Sequence, residues 1–244
     1  MLGAQRSDTL ASVAGPDRLE VSEIFASIQG EGASAGQPCV FLRLAGCNLR
    51  CRWCDTAYAW DFASYDRSRE TSTENVEAVA ARLESSGQSR LVITGGEPLL
   101  QQQALAALLE RLGGGWLVEV ETNGTVVASP ALRGRVDQWN VSAKLSNSDE
   151  PEARRLNVGA LSVLRDTDRA WLKLVVDDAA DLAEVNQLVR ATDWPRHRVL
   201  LMPQASTRSE LHRRTPLLVE ASAGLGYALS PRLHIERWNG ARGR

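Results

Sequence analysis

Gly46-Cys-Asn-Leu-Arg-Cys-Arg-Trp-Cys-Asp55 holds three of the chain's four cysteines, Cys47, Cys51 and Cys54, spaced C-x3-C-x2-C. Iron–sulfur clusters normally take four cysteine thiolates. Three on one short loop hold three irons of a cubane and leave the fourth without a protein ligand, where a small molecule can bind and react. A structural zinc site needs four ligands, as in paired C-x2-C motifs or C-x2-C with H-x3-H. No second pair exists: Cys39 stands alone before an apolar run, and His197, His212 and His234 lie far along the chain. The spacing favours a cluster over zinc.

Working outward, Val40-Phe-Leu-Arg-Leu44 reads as the first strand and runs into the cysteine loop. Thr71-Ser-Thr-Glu74 has the pattern of a capping box opening a helix with Val76, Val79, Ala80 and Leu83 on one face. Leu91-Val-Ile-Thr94 is a short β-branched run ending at Gly95-Gly96, as a buried parallel strand does. Leu99 to Leu112 carries leucines at helical spacing and stops at Gly113-Gly-Gly115. Strands are predicted at Trp116 to Val120, Gln138 to Val141, Trp171 to Val176, Arg198 to Met202 and Arg232 to Ile235. Asp178 is predicted to cap a helix with Leu182, Val185, Leu188 and Val189 inward.

Strands alternating with helices imply parallel pairing through right-handed crossovers. The helices are too few and irregular for eight βα units. The expected fold is therefore α/β, an incomplete (β/α) barrel of mostly parallel strands, with an open doubly wound sheet as the competing arrangement. Residues 1–18 read as a mobile extension and residues 19–244 as one core domain. Chemistry is expected where parallel strands end. The cysteine loop, Thr94-Gly-Gly-Glu-Pro98 and Glu121-Thr-Asn-Gly-Thr125 all fall there.

Composition narrows the class. With Lys+Arg 28 against Asp+Glu 30, no basic excess points to a nucleic-acid partner. No apolar run suits a membrane span or a secretory signal. Clustered rather than paired cysteines suit a reducing compartment, so a cytoplasmic location is expected.

A cluster loop on the first βα connection, followed by Thr94-Gly-Gly-Glu-Pro98, resembles the radical S-adenosylmethionine enzymes. In them the cofactor's amino and carboxylate groups chelate the open iron, and an electron from the 4Fe-4S cluster yields a 5′-deoxyadenosyl radical; the cofactor carries the difficult bond cleavage. A narrower resemblance runs from about Val21 onward. Glu23-Ile-Phe-Ala-Ser-Ile-Gln-Gly-Glu-Gly32, Phe41 to Thr56, Thr94 to Gln101, Glu121-Thr-Asn-Gly-Thr125, Leu201-Met-Pro-Gln204 and Ser230-Pro-Arg-Leu-His-Ile235 are similar to the 7-carboxy-7-deazaguanine synthase family. Ile28-Gln-Gly-Glu-Gly32 discriminates most, because radical enzymes in general lack it. The resemblance implies conversion of 6-carboxy-5,6,7,8-tetrahydropterin to 7-carboxy-7-deazaguanine with loss of ammonia, in queuosine and related 7-deazapurine biosynthesis. Regenerated S-adenosylmethionine, Mg2+, a reductase or flavodoxin-type electron donor and a homodimer come with it.

The same resemblance distributes roles. Ile28, Gln29, Gly30, Arg43, Thr94 and His234 would meet the pterin, with Arg43 on its carboxylate. Trp53, Cys54, Asp55, Gly96, Ser142, Ala143, Lys144 and Gln204 would meet S-adenosylmethionine, and Thr56 would ligate Mg2+. Ala143 departs from the usual proline of a Ser-Pro-Lys motif. As bare residues, Arg43 reads equally as half of an ion pair, Thr56 as a loop cap, Trp53 as core and His234 as structural. Two rival functions share the cysteine spacing: an activase that installs a glycyl radical, and a metal-stabilised binding module without catalysis.

Overall fold

The computed structural model describes residues 15–243. In chain order these form β1 (Arg18–Ile28), β2 (Pro38–Leu44), α1 (Arg67–Glu70), β3 (Ser72–Asn75), α2 (Val76–Glu84), β4 (Arg90–Gly95) and α3 (Gln102–Leu112). Next come β5 (Leu117–Thr122), α4 (Pro130–Arg135), β6 (Gln138–Val141), α5 (Glu152–Arg155), α6 (Val158–Arg165) and β7 (Ala170–Val176). The chain continues through α7 (Asp181–Ala191), β8 (Val199–Pro203), α8 (Arg208–Leu225), β9 (Ala228–Leu229) and α9 (Leu233–Trp238).

The strands make one sheet in the order β3-β1-β2-β4-β5-β6-β7-β8-β9. From β2 to β9 every neighbouring pair is parallel, whereas β1 is antiparallel to both β2 and β3. The order advances from β2 without reversing, unlike a doubly wound sheet, in which strand order turns back at a switch point. The ends β3 and β9 remain unjoined, so the fold is an incomplete barrel.

Side-chain alternation along each strand decides what the two faces do. Leu42, Ile93, Val120, Trp139, Leu172 and Leu201 face the core shared with the helices. Their neighbours Arg43, Thr94, Glu121, Lys173 and Met202 line a cavity instead. Parallel registry sets Arg43 beside Thr94 and Glu121 beside Asn140. A sheet with one apolar and one polar face thus builds both core and site.

Several expectations need correction. Thr71 to Glu74 is not a helix start: Ser72–Asn75 pairs with Arg18 to Val21, and Asn75 caps α2 by accepting the Ala78 amide at 2.8 Å. Asp178 accepts the Ala180 amide in the preceding turn, and α7 begins at Asp181. Arg232 to Ile235 is not a strand; Leu233 to Trp238 is helical, and the last strand is β9. Elements left unread include β1, a long strand before Val40, the short helices α1, α4, α5 and α6, and α8, whose capping box joins Thr207 and Glu210. Residues 1–14 of the expected extension lie outside the described residues, and Arg18 already belongs to β1.

Candidate active site

The β2 chain leads straight into the cysteine loop, and Cys47, Cys51 and Cys54 line one cavity of about 380 Å3 with the ends of β4, β5 and β8. The Gly95-Gly96 turn packs against this loop. Gly96 donates its amide to the Leu44 carbonyl at 3.0 Å, and Glu97 donates to that of Gly46 at 2.9 Å. A Cβ on Gly96 would strike the Gly46 carbonyl, so the turn needs glycine there to touch the loop at all. Glu97, wholly buried, accepts from Thr122 Oγ1 and the Asn123 amide, both at 2.7 Å, locking the β4 and β5 turns together.

Two of the sulfurs accept N–H donors, and the Lys144 ammonium acts on the third. The Leu49 amide donates to Cys47 Sγ at 3.4 Å, and the Trp60 indole N–H to Cys54 Sγ at 3.2 Å. Burial pushes the Cys47 thiol up to about 12, with Glu97 and the neighbouring thiols acting in the same sense. Burial raises Cys51 as well, against the Lys144 ammonium. Such thiols ionise when a metal takes the place of their protons. Three thiols on one loop facing one cavity suit a cubane with an open corner, whereas a structural zinc needs four ligands.

Thr56 Oγ1 lies 3.6 Å from Cys54 Sγ and caps no amide of the turn that follows it. Trp53 donates its indole N–H to the Asn147 carbonyl at 3.0 Å, and the Lys144 ammonium sits 5.4 Å from its ring centroid. Lys144 also donates to Ser142 Oγ at 2.9 Å. Ser142 and Lys144 line the cavity, whereas the Ala143 methyl packs into the core. Gln204 is buried beside the cavity without lining it, while Met202 and Ser206 do line it.

On the opposite wall, Ile28, Gln29 and Gly30 line the cavity, and the Gln29 amide is committed to two carboxylates. Gln29 Nε2 donates to Glu119 at 2.6 Å and to Glu121 at 3.1 Å, and its carbonyl accepts from the Glu31 amide. Thr94 Oγ1 donates to the other oxygen of Glu121 at 2.8 Å. Gln29 and Thr94 therefore orient Glu121, which faces the cavity. Arg43, expected either on a substrate carboxylate or in an ion pair, donates Nε to Glu23 Oε2 at 2.8 Å and still lines the cavity.

Glu31 forms the charged hinge of the site. It takes Lys173 on one oxygen and Arg232 Nε on the other at 3.0 Å, while Arg232 also donates to Asp55 at 2.5 Å. Burial disfavours the Glu31 charge, but Lys173 and Arg232 outweigh it and hold the carboxyl well below the usual range. Glu31, Asp55 and His234 have donor atoms within 4.8 Å of one another. Two cations already serve that cluster, which disfavours a metal there. Burial lowers His234, so its ring is held towards the neutral form.

The sequence reading passed over Glu23, Trp60, Lys173, Arg232 and Arg242, all close to or lining the cavity. Lys173 carried a readable signal as the lone cation of Ala-Trp-Leu-Lys-Leu-Val-Val, since lysine is almost never fully buried unless paired. Glu23 opens the family-like stretch to Gly32 without a role of its own, Arg242 lies past the family-like segments, and no spacing joins the two.

The comparisons agree with this geometry. The radical SAM superfamily matches residues 42–171. The 7-carboxy-7-deazaguanine synthase of Pyrobaculum aerophilum is 41% identical over 93% of this chain and 98% of its own. That of Hyperthermus butylicus is 40% identical over 89% and 92%. The crystal structure of QueE from Escherichia coli superposes with a TM-score of 0.64 at 25% identity, covering 87% of this chain and 93% of that one. A C-x3-C-x2-C loop at the end of a barrel strand, walled by a Gln-Gly-Glu-Gly turn and matched over nearly full length, places the chain in the 7-carboxy-7-deazaguanine synthase family of radical S-adenosylmethionine enzymes.

Proposed function

We propose that the chain converts 6-carboxy-5,6,7,8-tetrahydropterin to 7-carboxy-7-deazaguanine with release of ammonia. One observation supports the reading most: the three-thiol loop faces the same cavity as a positioned arginine and a carboxylate held by Thr94 and Gln29. Cys47, Cys51 and Cys54 would hold the 4Fe-4S cluster. When bound, the reduced cluster supplies the electron that cleaves S-adenosylmethionine and starts hydrogen abstraction.

The chain's own residues would place and shield the reactants. Arg43 keeps Nη1 and Nη2 unbonded among the described residues, a fork suited to the pterin carboxylate. The backbones of Ile28 and Gly30, with Thr94 and Glu121, offer acceptors and donors to the pterin edge, and His234 closes the wall behind Gly30. Trp53, Asp55, Gly96, Ser142, Ala143 through its backbone, Lys144 and Gln204 would surround S-adenosylmethionine. Thr56, whose hydroxyl caps no amide, would give Mg2+ its protein ligand, the remainder coming from water and substrate.

Residues 19–244 would act as one unit and pair as a homodimer in the cytoplasm, with a reductase or flavodoxin-type protein as donor. Among the described residues no helix is long and apolar enough to cross a membrane. The activase and binding-module readings are not favoured, because Glu31, Arg232 and His234, idle in both, build the cavity wall. Anaerobically reconstituted protein should turn over the carboxylated pterin many times per S-adenosylmethionine. Stoichiometric 5′-deoxyadenosine without any deazapurine would refute the proposal.

A further inference from the structure

Past α9 the chain reverses at Asn239 and Gly240, both at positive φ, and residues 240–243 come to line the cavity. The reversal is anchored: Asn239 donates its amide to Ile235 at 2.8 Å and accepts the Arg208 amide through Oδ1 at 2.8 Å. Arg242 then reaches back across the mouth. Its Nε donates to Glu23 Oε1 at 2.5 Å, its Nη1 lies 2.7 Å from Glu70 Oε2, and its guanidinium lies 3.7 Å from the Tyr58 ring centroid. One side chain thus ties β1, α1 and the segment after the cysteine loop together.

Glu23 stands directly across the β1–β2 pair from Arg43. Its carboxylate takes three donors: Arg43 and the Tyr58 hydroxyl on Oε2, at 2.8 and 2.9 Å, and Arg242 on Oε1. Arg43 has no other hydrogen bond among the described residues, and its guanidinium lies 5.8 Å from the Phe25 ring centroid, so Glu23 sets the roll of a fork that Phe25 backs. With Nε committed to Glu23, the two terminal nitrogens remain for an end-on bidentate pair. A freed Glu23 would swing with its partner, and the fork would lose its aim.

We infer that Glu23 is a positioning residue for Arg43 and that Arg242 clamps it, so the C-terminal segment sets how tightly the site takes a substrate carboxylate. This rests on the proposed reading of Arg43 as the carboxylate ligand.

The test uses reconstituted holoprotein carrying Arg242→Ala, Arg242→Lys or Glu23→Gln, with the carboxylated pterin and the same pterin lacking its carboxylate as probes. Arg242→Ala should raise KM for the carboxylated pterin about tenfold, the loss falling on KM rather than kcat, with Arg242→Lys recovering part of it. Affinity for the carboxylate-free pterin should stay at the parental level. Amide exchange at residues 240–242 should quicken in Arg242→Ala. Glu23→Gln, which keeps size and loses charge, should weaken both pairs and raise KM further. An unchanged KM in Arg242→Ala, or an equal loss for both pterins, would overturn the inference. If the parental protein itself fails to prefer the carboxylated pterin, the reading of Arg43 falls and takes the inference with it.

Discussion

Lys173 and Glu31 show what one buried pair commits the molecule to. Both are nearly enclosed, and breaking a buried pair strands a charge at a cost of about 3–5 kcal/mol. Glu31→Gln should therefore lower stability by roughly 3 kcal/mol at neutral pH in a denaturant titration. The pH profile gives a second readout. Folding depresses the Glu31 carboxyl, so its contribution is complete above the unfolded pKa and is lost as pH falls toward the folded value. Parental stability should drop as acid passes below the ordinary carboxylate range, and Glu31→Gln should flatten that part of the curve. Trp60 makes a separate point. Its indole N–H on Cys54 Sγ stabilises extra negative charge on the sulfur. Trp60→Phe should shift the midpoint potential of the loaded cluster downward, on the order of tens of millivolts, with iron content unchanged.

Among the elements, β1 and α9 matter more than their place in the sequence suggests. Leu233 donates its amide to the Gly30 carbonyl at 2.9 Å, and Gly32 donates to Ser230 Oγ at 2.9 Å, so the turn after β1 and the start of α9 build one wall. A Cβ on Gly30 would enter the His234 ring. Gly30→Ala should cost about 1–3 kcal/mol and raise KM for the pterin, read by thermal melting and kinetics. Asn75→Ala, removing the α2 cap far from the site, should cost about 1 kcal/mol and leave KM alone. Of the parallel strands, β2, β4 and β5 were legible because their apolar runs end at glycine turns, and β7 and β8 because their apolar runs stand between polar segments. The segment of α9 was not, because Arg-Leu-His-Ile alternates like a strand, whereas in the fold its first amide docks on Gly30 and the segment is helical. β3 was misread because pairing with β1, a tertiary contact, overrides the local capping pattern of Thr71 to Glu74.

For the molecule as a whole, the division of labour between sheet faces accounts for both stability and site. The helix-facing positions are apolar throughout, while the cavity face carries Arg43, Thr94, Glu119, Glu121 and Lys173 among Phe41 and Val92. That polarity is hidden in sequence because each charge sits singly between apolar neighbours. The cysteine loop and its glycine turn could be read directly, since their spacing is set by covalent chain geometry. The ion pairs around them could not, since they join positions as distant as Glu31 and Arg232. The central claim is that three thiols leave one iron of a cubane open to S-adenosylmethionine. Pulsed electron–nuclear resonance on the reduced, reconstituted protein with 15N-amino-labelled S-adenosylmethionine tests it. The expected result is four irons per chain and a nitrogen coupling to the cluster that vanishes in Cys51→Ala. Zinc near one equivalent in place of iron, or a cluster with no coupling to the label, would contradict it.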